Sequence, residues 1–390
     1  MLNGTCHLNH QRGFATLLTS LIILVGITLI TLFTARTTLM EQRMSANHYR
    51  SSQAFYAAQA ALEIGIGYIN QNGTNDLLGI DFPPSSHPLK QEYPFKTDAT
   101  LLLQSPTHPN NPTNCYQLIA TGKSDDQIGS RTISQCVTTL DISRGDGPEQ
   151  PLISRTSVSL TGNASVINRY GNTTIWSGDP VILGNSNSIK TYIRDAGTPL
   201  SAATTVLEST DSTEATQIIS SSNLGIGLDI IESDPALSGL TADDFFDNTF
   251  VLPRGDIKTL AQNAGQLFTD PDIDGLTGLI WIEGDSSLSG GDIGTSTQPA
   301  IVIFNGNAQI TGNPTIHGLV YVCGQLKVSG TVSVVGASVI EGDPSLVPAG
   351  QNPVIGNGTI NQVFAPSLLK TGTGPPLPGL TVAVAGTWKD

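Results

Sequence analysis

The feature that most constrains this chain is a long uncharged stretch near its N-terminus. No Asp, Glu, Lys or Arg lies between Arg12 and Arg36, and the 20 residues 14–33 are predominantly apolar. About 20 such residues form a helix that spans a hydrocarbon core of about 30 Å. A secretory signal has a shorter apolar core followed by small residues, so we expect this span to be retained. The segment before it carries Arg12 and no acid, which predicts a cytoplasmic N-terminus and an external body.

The helical pattern continues beyond the span. Apolar residues recur there at steps of three or four, or multiples of these, which is the spacing of an amphipathic helix. The residues on this face include Met40, Met44, Phe55, Ala58 and Leu62. We therefore predict one helix over residues 14–70, about half in lipid and half packed against an apolar surface outside, with the face of Met44, Phe55 and Leu62 covered by the region that follows.

Composition predicts a β-rich body and argues against nucleic acid as a partner. Charged residues make up 13% of the chain, about half of the usual share of about 25%. With 41 Gly and 23 Pro, the chain is rich in turns, and its net charge of −14 repels phosphate backbones. The fold class expected is α+β followed by all-β.

Both ends of the chain resemble one family. The run QRGFATLLTSLIILVGITLITLF, followed by EQRMSAN and AFYAAQAAL, closely resembles the N-terminal region of PilX-type type IV pilus assembly proteins. The tail Gly386–Asp390, Gly-Thr-Trp-Lys-Asp, is similar to the Gly-Ser-Trp-Arg-Asp ending of many of them. The resemblance implies a prepilin leader over residues 1–13, cut by the prepilin peptidase between Gly13 and Phe14, and methylation of Phe14. The alternative is a generic single-span anchor followed by a periplasmic domain.

One residue departs from the pattern of that family. Major pilins carry Glu at the fifth position of the mature chain, where the carboxylate neutralises the buried amine of a neighbouring subunit; counted from Phe14, this position is Leu18. An unpaired charge in lipid costs about 2.5 to 3.5 kcal/mol or more. The resemblance therefore places Leu18 among the helix-packing residues and implies a tip or initiating position, beyond which no further subunit lies.

The segment after the helix predicts a small α+β head over residues 71–144, built on a strand meander. Cys115 and Cys136 bracket two alternating runs joined by a polar turn, so a cross-strand disulfide fits, and it would persist in an oxidising compartment. Two buried free thiols are the alternative, and Cys323 is left unpaired. Residues 145–151, GDGPEQP, predict a linker.

Residues 152–390 predict a β-solenoid-like domain, similar to a right-handed β-helix. Four apolar runs end in Gly284, Gly306, Gly324 and Gly342, at intervals of 22, 18 and 18 residues. Such periodicity is typical of stacked rungs, each of which buries its apolar face on the next. Earlier runs between residues 157 and 183 are interpreted as preceding rungs and the polar stretch near 201–250 as an insertion. A β-sandwich with irregular loops is the alternative.

The sequence contains few residues suited to catalysis. It has no nucleophile elbow, P-loop or HExxH motif, and its six His residues are scattered. Asp270, Asp272 and Asp274 precede Gly275 with the spacing of the first half of a calcium loop, but Trp281 stands where the bidentate Glu is expected. We expect at most weak calcium binding there, an acidic surface turn being the alternative, and no other cofactor.

These observations together predict a non-enzymatic minor pilin that works by helix packing in pilus initiation or at the tip, and by surface display. The partners expected are other pilins and minor pilins, the inner-membrane pilus assembly platform, the prepilin peptidase and membrane lipid. The predicted location is the bacterial inner membrane, with the body in the periplasm, and later the extracellular pilus. Two other hypotheses are an anchored β-helix protein that binds or processes polysaccharide, and a self-polymerising scaffold of the bactofilin type.

Overall fold

A computed structural model describes residues 10–72, 99–107, 115–140, 142–145, 147–185, 188–269, 272–369 and 380–389 of the chain. It begins with one long helix, α1 (His10–Asn72). The prediction of a continuous helix over residues 14–70 is thus confirmed. The part of the sequence that α1 occupies contains no proline, which would break the ladder of backbone hydrogen bonds.

A small antiparallel sheet packs on the C-terminal half of α1 and forms the head. Its strands along the chain are β1 (Thr100–Gln104), β2 (Tyr116–Lys123), β3 (Ser130–Thr139) and β23 (Thr381–Ala383), in the spatial order β1-β2-β3-β23. In β2 and β3, Tyr116 lies opposite Val137 and Thr121 opposite Thr132. Much of the predicted head, residues 73–98 and 108–114, lies outside the described residues.

The last strand of the head corrects the predicted boundary of the C-terminal domain. We expected all of residues 152–390 in the solenoid-like body, but β23 pairs with β3, Ala383 lying opposite Val137. The amide of Leu140 also donates to the carbonyl of Leu380. The chain therefore leaves the head after β3, forms the body, and returns to the head at β23, which lies next to β3. The edge of β3 that faces away from β2 supplies the backbone partners that Thr381–Ala383 use.

The body consists mostly of short strands. The first group in the chain is β4 (Leu152–Ser154), β5 (Val158–Leu160), β6 (Asn163–Asn168), β7 (Ile175–Ser177), β8 (Val181–Leu183), β9 (Ile189–Arg194), β10 (Thr216–Ser221) and β11 (Ile230–Ile231). The second group is β12 (Leu267–Phe268), β13 (Gly278–Glu283), β14 (Ser286–Ser289), β15 (Asp292–Ile293), β16 (Ala300–Asn305), β17 (Ala308–Thr311), β18 (Thr315–Val322), β19 (Leu326–Val328), β20 (Thr331–Ile340), β21 (Val354–Gly356) and β22 (Thr359–Val363). Short helices also occur: α2 (Thr204–Leu207), α3 (Pro235–Ser238), α4 (Ala242–Thr249), α5 (Arg254–Asn263) and a 3-10 turn (Pro366–Leu368).

Within the described residues, these strands form a 13-stranded and a 6-stranded sheet, and nearly all of their pairings are parallel. In the larger sheet Gly278 lies opposite Ala300, Ala300 opposite Gly318, and Gly318 opposite Gly336. The intervals are 22, 18 and 18 residues, which are the intervals predicted from the glycines. The predicted mostly-β body is thus confirmed in a coarser form, as two largely parallel sheets of short strands.

The order of stacking differs from the order along the chain. The early strands β4, β5 and β6 pair with β20, β21 and β22, near the C-terminal end of the chain. Ser338, for example, lies opposite Leu152. The runs interpreted as preceding rungs therefore join the two sheets next to strands from the C-terminal part of the chain, and not ahead of the later strands. The predicted insertion also contributes β10 and β11, which pair with β9 and β7.

Two apolar cores account for the nearly continuous apolar strands of the body. One core contains Ile280, Val302 and Val320, together with residues of the 6-stranded sheet. The other contains their neighbours Trp281 and Ile303, which pack with side chains from α4 and α5. Because both faces of the larger sheet are covered, its strands need apolar residues at successive positions.

Glycines allow the strands to stack closely where the chain turns. A Cβ at Gly330 would overlap the carbonyl oxygen of Gly312, and a Cβ at Gly358 would overlap that of Gly330. A side chain at either position would therefore force the layers apart. This explains why glycine recurs at the interval of the stack.

Candidate functional site

The N-terminal part of α1 presents apolar side chains to its surroundings on all sides. From Phe14 to Tyr49 every residue is exposed except Gly26, which is half-buried. Within Phe14–Asn70 the most apolar 18-residue window has a mean hydropathy of 2.4, and none of it is buried inside the chain. A helix that is apolar all round needs lipid or other helices as its surroundings. By length and composition α1 can cross a membrane.

Threonine hydroxyls in this part of α1 donate hydrogen bonds to backbone carbonyls of the same helix. The hydroxyls of Thr28, Thr31 and Thr34 donate to the carbonyls of Leu24, Ile27 and Ile30, at distances of 2.6, 3.0 and 2.8 Å. Back-bonding of this kind removes free hydroxyl groups from an apolar environment. Threonine in the span is therefore compatible with lipid.

The second half of α1 is docked tightly on the head. Ala54, Ala58 and Leu62 are buried, and Ala58 and Leu62 share a core with Leu118 of β2. A Cβ at Gly122 would lie less than 3.0 Å from backbone atoms of Ala54, Ala57 and Ala58. The alanines of the AFYAAQAAL motif and this glycine together let β2 approach the backbone of α1.

Polar contacts mark the border between the exposed and the docked parts of α1. Arg50 donates to the carboxylate of Asp126 in the β2–β3 turn, and the amide of Gln53 donates to Asp125 at 2.9 Å. The hydroxyl of Ser124 donates to Asp126 at 2.6 Å. The Ser124 bond, followed by Arg50, holds the pKa of Asp126 below its ordinary value. The turn is thus fixed to the helix at the place where α1 leaves the head.

The C-terminal tail meets α1 on the same side of the head. The rings of Trp388 and Phe55 lie edge to face with centroids 6.0 Å apart. The backbone of Lys389 exchanges two hydrogen bonds of 2.8 Å with Ser134 of β3, and the amide of Cys136 donates to the Thr387 hydroxyl at 3.1 Å. The two segments that resemble one family in the sequence are therefore in direct contact in the fold.

The structure divides the predicted helix-packing residues into two groups. Ala58 and Leu62 are buried and Phe55 is partly buried, all against the head or its tail. Leu18, Met40 and Met44 are exposed. The prediction that the head covers Met44 was wrong: Met44 is 65% exposed, because α1 makes its contacts with the described strands from Arg50 onwards. Gly13 and Phe14 lie within α1, and Phe14 is exposed.

The N-terminal helix is similar to a known protein family. The family described as PilX N-terminal matches residues 12–63. The N-terminal region is similar to this family. This match covers the span and most of the docked half of α1, so the resemblance predicted for the N-terminal region is confirmed. A PilX-type N-terminal helix indicates a type IV pilin-like protein with membrane anchoring or pilus association.

A solved structure is also similar, at low identity. The crystal structure of the competence-associated pilin ComZ from Thermus thermophilus matches at 14% identity, covering 87% of this chain and 97% of that chain, with a TM-score of 0.22. No curated protein matches the chain.

The head contains the predicted cysteine pair. Cys115 and Cys136 are joined in the structure with Cα atoms 5.7 Å apart. This bond lies beside the pairing of Gln117 with Cys136. Cys323, the other cysteine within the described residues, is free and buried in the body, and burial raises the pKa of its thiol to about 12.

The predicted calcium loop is described only in part. Asp270 lies outside the described residues, Asp272 is exposed, and Asp274 accepts a hydrogen bond of 2.9 Å from the amide of Asp292. In the part of the chain that the structure describes, no group of three or more His, Cys, Asp or Glu residues is arranged to hold a metal. Calcium binding therefore stays a prediction from the sequence.

Sequence analysis missed a buried polar cluster between the large sheet and the helices that cover it. Arg254 of α5 donates to Glu341 at 2.8 Å and to Cys323 at 2.7 Å, and the Tyr321 hydroxyl donates to Glu341 at 2.8 Å. Burial, the largest cause, raises the pKa of Glu341. These residues lie up to 87 positions apart, so no local sequence pattern indicates that they are in contact. The cluster fixes α5 to the sheet.

Proposed function

We propose that this chain is a minor pilin-like subunit of the type IV pilus assembly machinery with a structural, non-enzymatic role. In this proposal the prepilin peptidase cuts between Gly13 and Phe14 and Phe14 is methylated. Before assembly, α1 lies in the inner membrane with its N-terminus in the cytoplasm and the body in the periplasm. The assembly platform then transfers α1 from lipid into a bundle with the helices of other pilins.

The observation that carries this proposal is the division of α1 into two parts. The part from Arg50 onwards is docked on the head, whereas Leu18, Met40 and Met44 contact nothing in the described part of the chain that buries them. An apolar helix projecting from a folded head must be surrounded by lipid or by other helices. A subunit that moves from a membrane into a filament needs a helix suited to both environments.

We also propose a tip or initiating position in the filament, on the basis of Leu18. The side chain there is apolar and 47% exposed, so it offers no carboxylate to the amine of a further subunit. Because an unpaired charge in an apolar environment costs several kcal/mol, a subunit beyond this one would be disfavoured. The body at such a position would be displayed for contact with a surface.

We propose in addition that the two parallel sheets are faces of one coil, similar to a right-handed β-helix. Successive strands alternate between the sheets: β16, β18, β20 and β22 belong to the 13-stranded sheet, and β17, β19 and β21 to the 6-stranded sheet. Each pair of successive strands thus adds one strand to each of the two faces. This alternation is what a coil with repeated turns requires.

The helix-packing proposal is tested by a pair of substitutions in the exposed part of α1. Met44→Lys places a charge on the predicted packing face, and burying it between helices is costly. We expect the full chain to fold normally but its amount in sheared pili to fall several-fold. Gln42→Lys, at a neighbouring exposed position, is the matched control and should change little. Equal recovery of the two variants would refute packing through this face.

The tip position is tested separately by Leu18→Glu. A carboxylate at this position could pair with the amine of another subunit, so the variant should enter the filament shaft as well as its end. Immunogold labelling of sheared filaments with an antibody against the body measures this. Labelling confined to one end in both proteins would argue against a role for Leu18, and labelling along the shaft in the unmodified protein would argue against the tip.

A further inference from the structure

One end of the body is unusually apolar. The strands β8, β10 and β11 each lie last in their part of the two parallel sheets. Six large apolar side chains on these strands and on the loop between β10 and β11 are 41% to 98% exposed. They are Ile182, Ile218, Leu224, Ile226, Leu228 and Ile231. We call this surface the apolar end; exposed apolar clusters of this kind mark interaction sites.

The loop at its centre directs its apolar residues away from the protein. Residues 224–228 read Leu-Gly-Ile-Gly-Leu. Gly227 packs on β10 so closely that a Cβ there would lie 2.7 Å from Ile219 and 3.0 Å from the hydroxyl of Ser220. Leu228, the next residue, is 98% exposed. Glycine thus occupies a position facing the fold while leucine faces outward, the reverse of the usual arrangement of apolar residues.

The loop itself carries no exposed charge. No charged residue occurs from 215 to 228. Asp229 is buried and accepts a hydrogen bond of 2.7 Å from the Thr174 hydroxyl, and another from Ser220. Glu232, beyond the loop, is exposed and accepts a hydrogen bond of 2.8 Å from the amide of Val181. Although the whole chain carries a net charge of −14, two copies could approach through this loop without placing like charges opposite each other.

The opposite end of the stack is of a different character. There β14 is the last strand of the 6-stranded sheet, and residues 287–291 line a cavity of about 300 Å³ together with Asp272 and Asp274. Head-to-tail stacking of two bodies would bury these carboxylates against apolar side chains, which is costly without partners. The self-stacking filament of the bactofilin type is therefore disfavoured.

We propose that the apolar end binds the apolar end of a second copy of this chain, the two copies being related by a two-fold axis. Antiparallel apposition centred on Ile226 places Leu224 beside Leu228 of the second copy and the two Ile226 residues together, so that apolar side chains meet apolar side chains. A two-fold interface requires such self-complementarity.

The size of the apolar end makes this contact a weak one in free solution. A stable interface buries about 800 Å² per partner, and six side chains supply at most part of that area. Copies held in the same bilayer by α1 have a high effective concentration, which strengthens a weak contact without new interactions. The inference rests on the proposed function for this membrane confinement alone.

The test uses the full chain in liposomes at low protein density, in a Cys6→Ser background, with one added cysteine. Leu228→Cys places a thiol at the centre of the apolar end. Val251→Cys is the matched control because Val251 is 49% exposed and its amide donates to Ile142, on the side of the head. On mild oxidation we expect disulfide-linked dimers from Leu228→Cys at five times or more the yield from Val251→Cys.

A second variant separates specific contact from random collision. Adding Leu224→Asp to Leu228→Cys introduces like charges across the two-fold axis and should reduce cross-linking to the level of Val251→Cys; circular dichroism checks that the fold is unchanged. Equal yields at positions 228 and 251 would overturn the proposal while leaving the role of α1 intact, since association through α1 favours neither position. If a fluorophore attached to the thiol of the Leu228→Cys variant is quenched by brominated lipid, and no cross-linking occurs, the apolar end binds lipid and the proposal is likewise overturned.

Discussion

Gly122→Ala tests how closely the head is docked on α1. The added methyl group would lie within 3.0 Å of three backbone atoms of the helix, those of Ala54, Ala57 and Ala58. Overpacking of a core typically costs about 1–3 kcal/mol. Because backbone atoms cannot move aside by changing rotamer, we expect a value in the upper part of that range, about 2–3 kcal/mol. Strand β2 would then have to shift away from the helix.

The assay is amide hydrogen exchange of β2 and β3 in the full chain in detergent. If the free energy of unfolding of the head falls by about 2 kcal/mol, amides that exchange only when the head opens should exchange roughly 30-fold faster. The matched control is Gly67→Ala: this glycine lies in the docked half of α1, but a Cβ there meets nothing within 4 Å. Replacing a helical glycine by alanine should stabilise α1 by up to about 1 kcal/mol. If Gly122→Ala exchanged no faster than the parent protein, the close docking of β2 on α1 would be refuted.

Three further predictions concern the tail, the turn and the body. Trp388→Ala should lower the free energy of unfolding of the head by about 1 kcal/mol or more through loss of an aromatic pair, and Trp388→Phe should restore most of it in denaturant titrations. The pKa of Asp126 is lowered, chiefly by its bond from Ser124, so its contribution to stability is present above the ordinary pKa of 3.8 and is lost as the pH falls through the lowered value. The protection of the turn amides, expressed relative to their intrinsic exchange rate at each pH, should therefore fall on acidification in the parent protein but not in Asp126→Asn. Arg254→Met leaves Glu341 buried without its ion-pair partner and should destabilise the body by about 3–5 kcal/mol, whereas adding Glu341→Gln should recover much of this loss in thermal unfolding; equal stability of the single and double variants would contradict the argument.

The parts of the fold that could be predicted are those with a local signal. The uncharged run after Arg12 and the apolar spacing beyond it predict α1, and the intervals between Gly284, Gly306 and Gly324 match the pairing of the stacked strands. In each case neighbouring residues in the sequence carry the physical requirement, either contact with lipid or close stacking. Such features depend little on the rest of the chain.

The parts that could not be predicted depend on contacts between distant segments. Nothing near Leu152 indicates that it lies opposite Ser338, because every parallel apolar strand offers similar partners. Nor does the sequence near Glu341 indicate that Arg254 neutralises it. The exposure of Met44 was missed for a related reason: its spacing predicts an apolar face but does not say whether that face contacts its own head or another subunit.

The measurement that tests the central claim most directly is the N-terminal sequence and mass of the mature chain recovered from sheared pili. If α1 passes from the membrane into a filament as a processed pilin helix, the recovered chain begins at Phe14, with one added methyl group on its amine. A chain that keeps its first thirteen residues, and that remains in the membrane fraction when the pili are sheared off, would contradict the account.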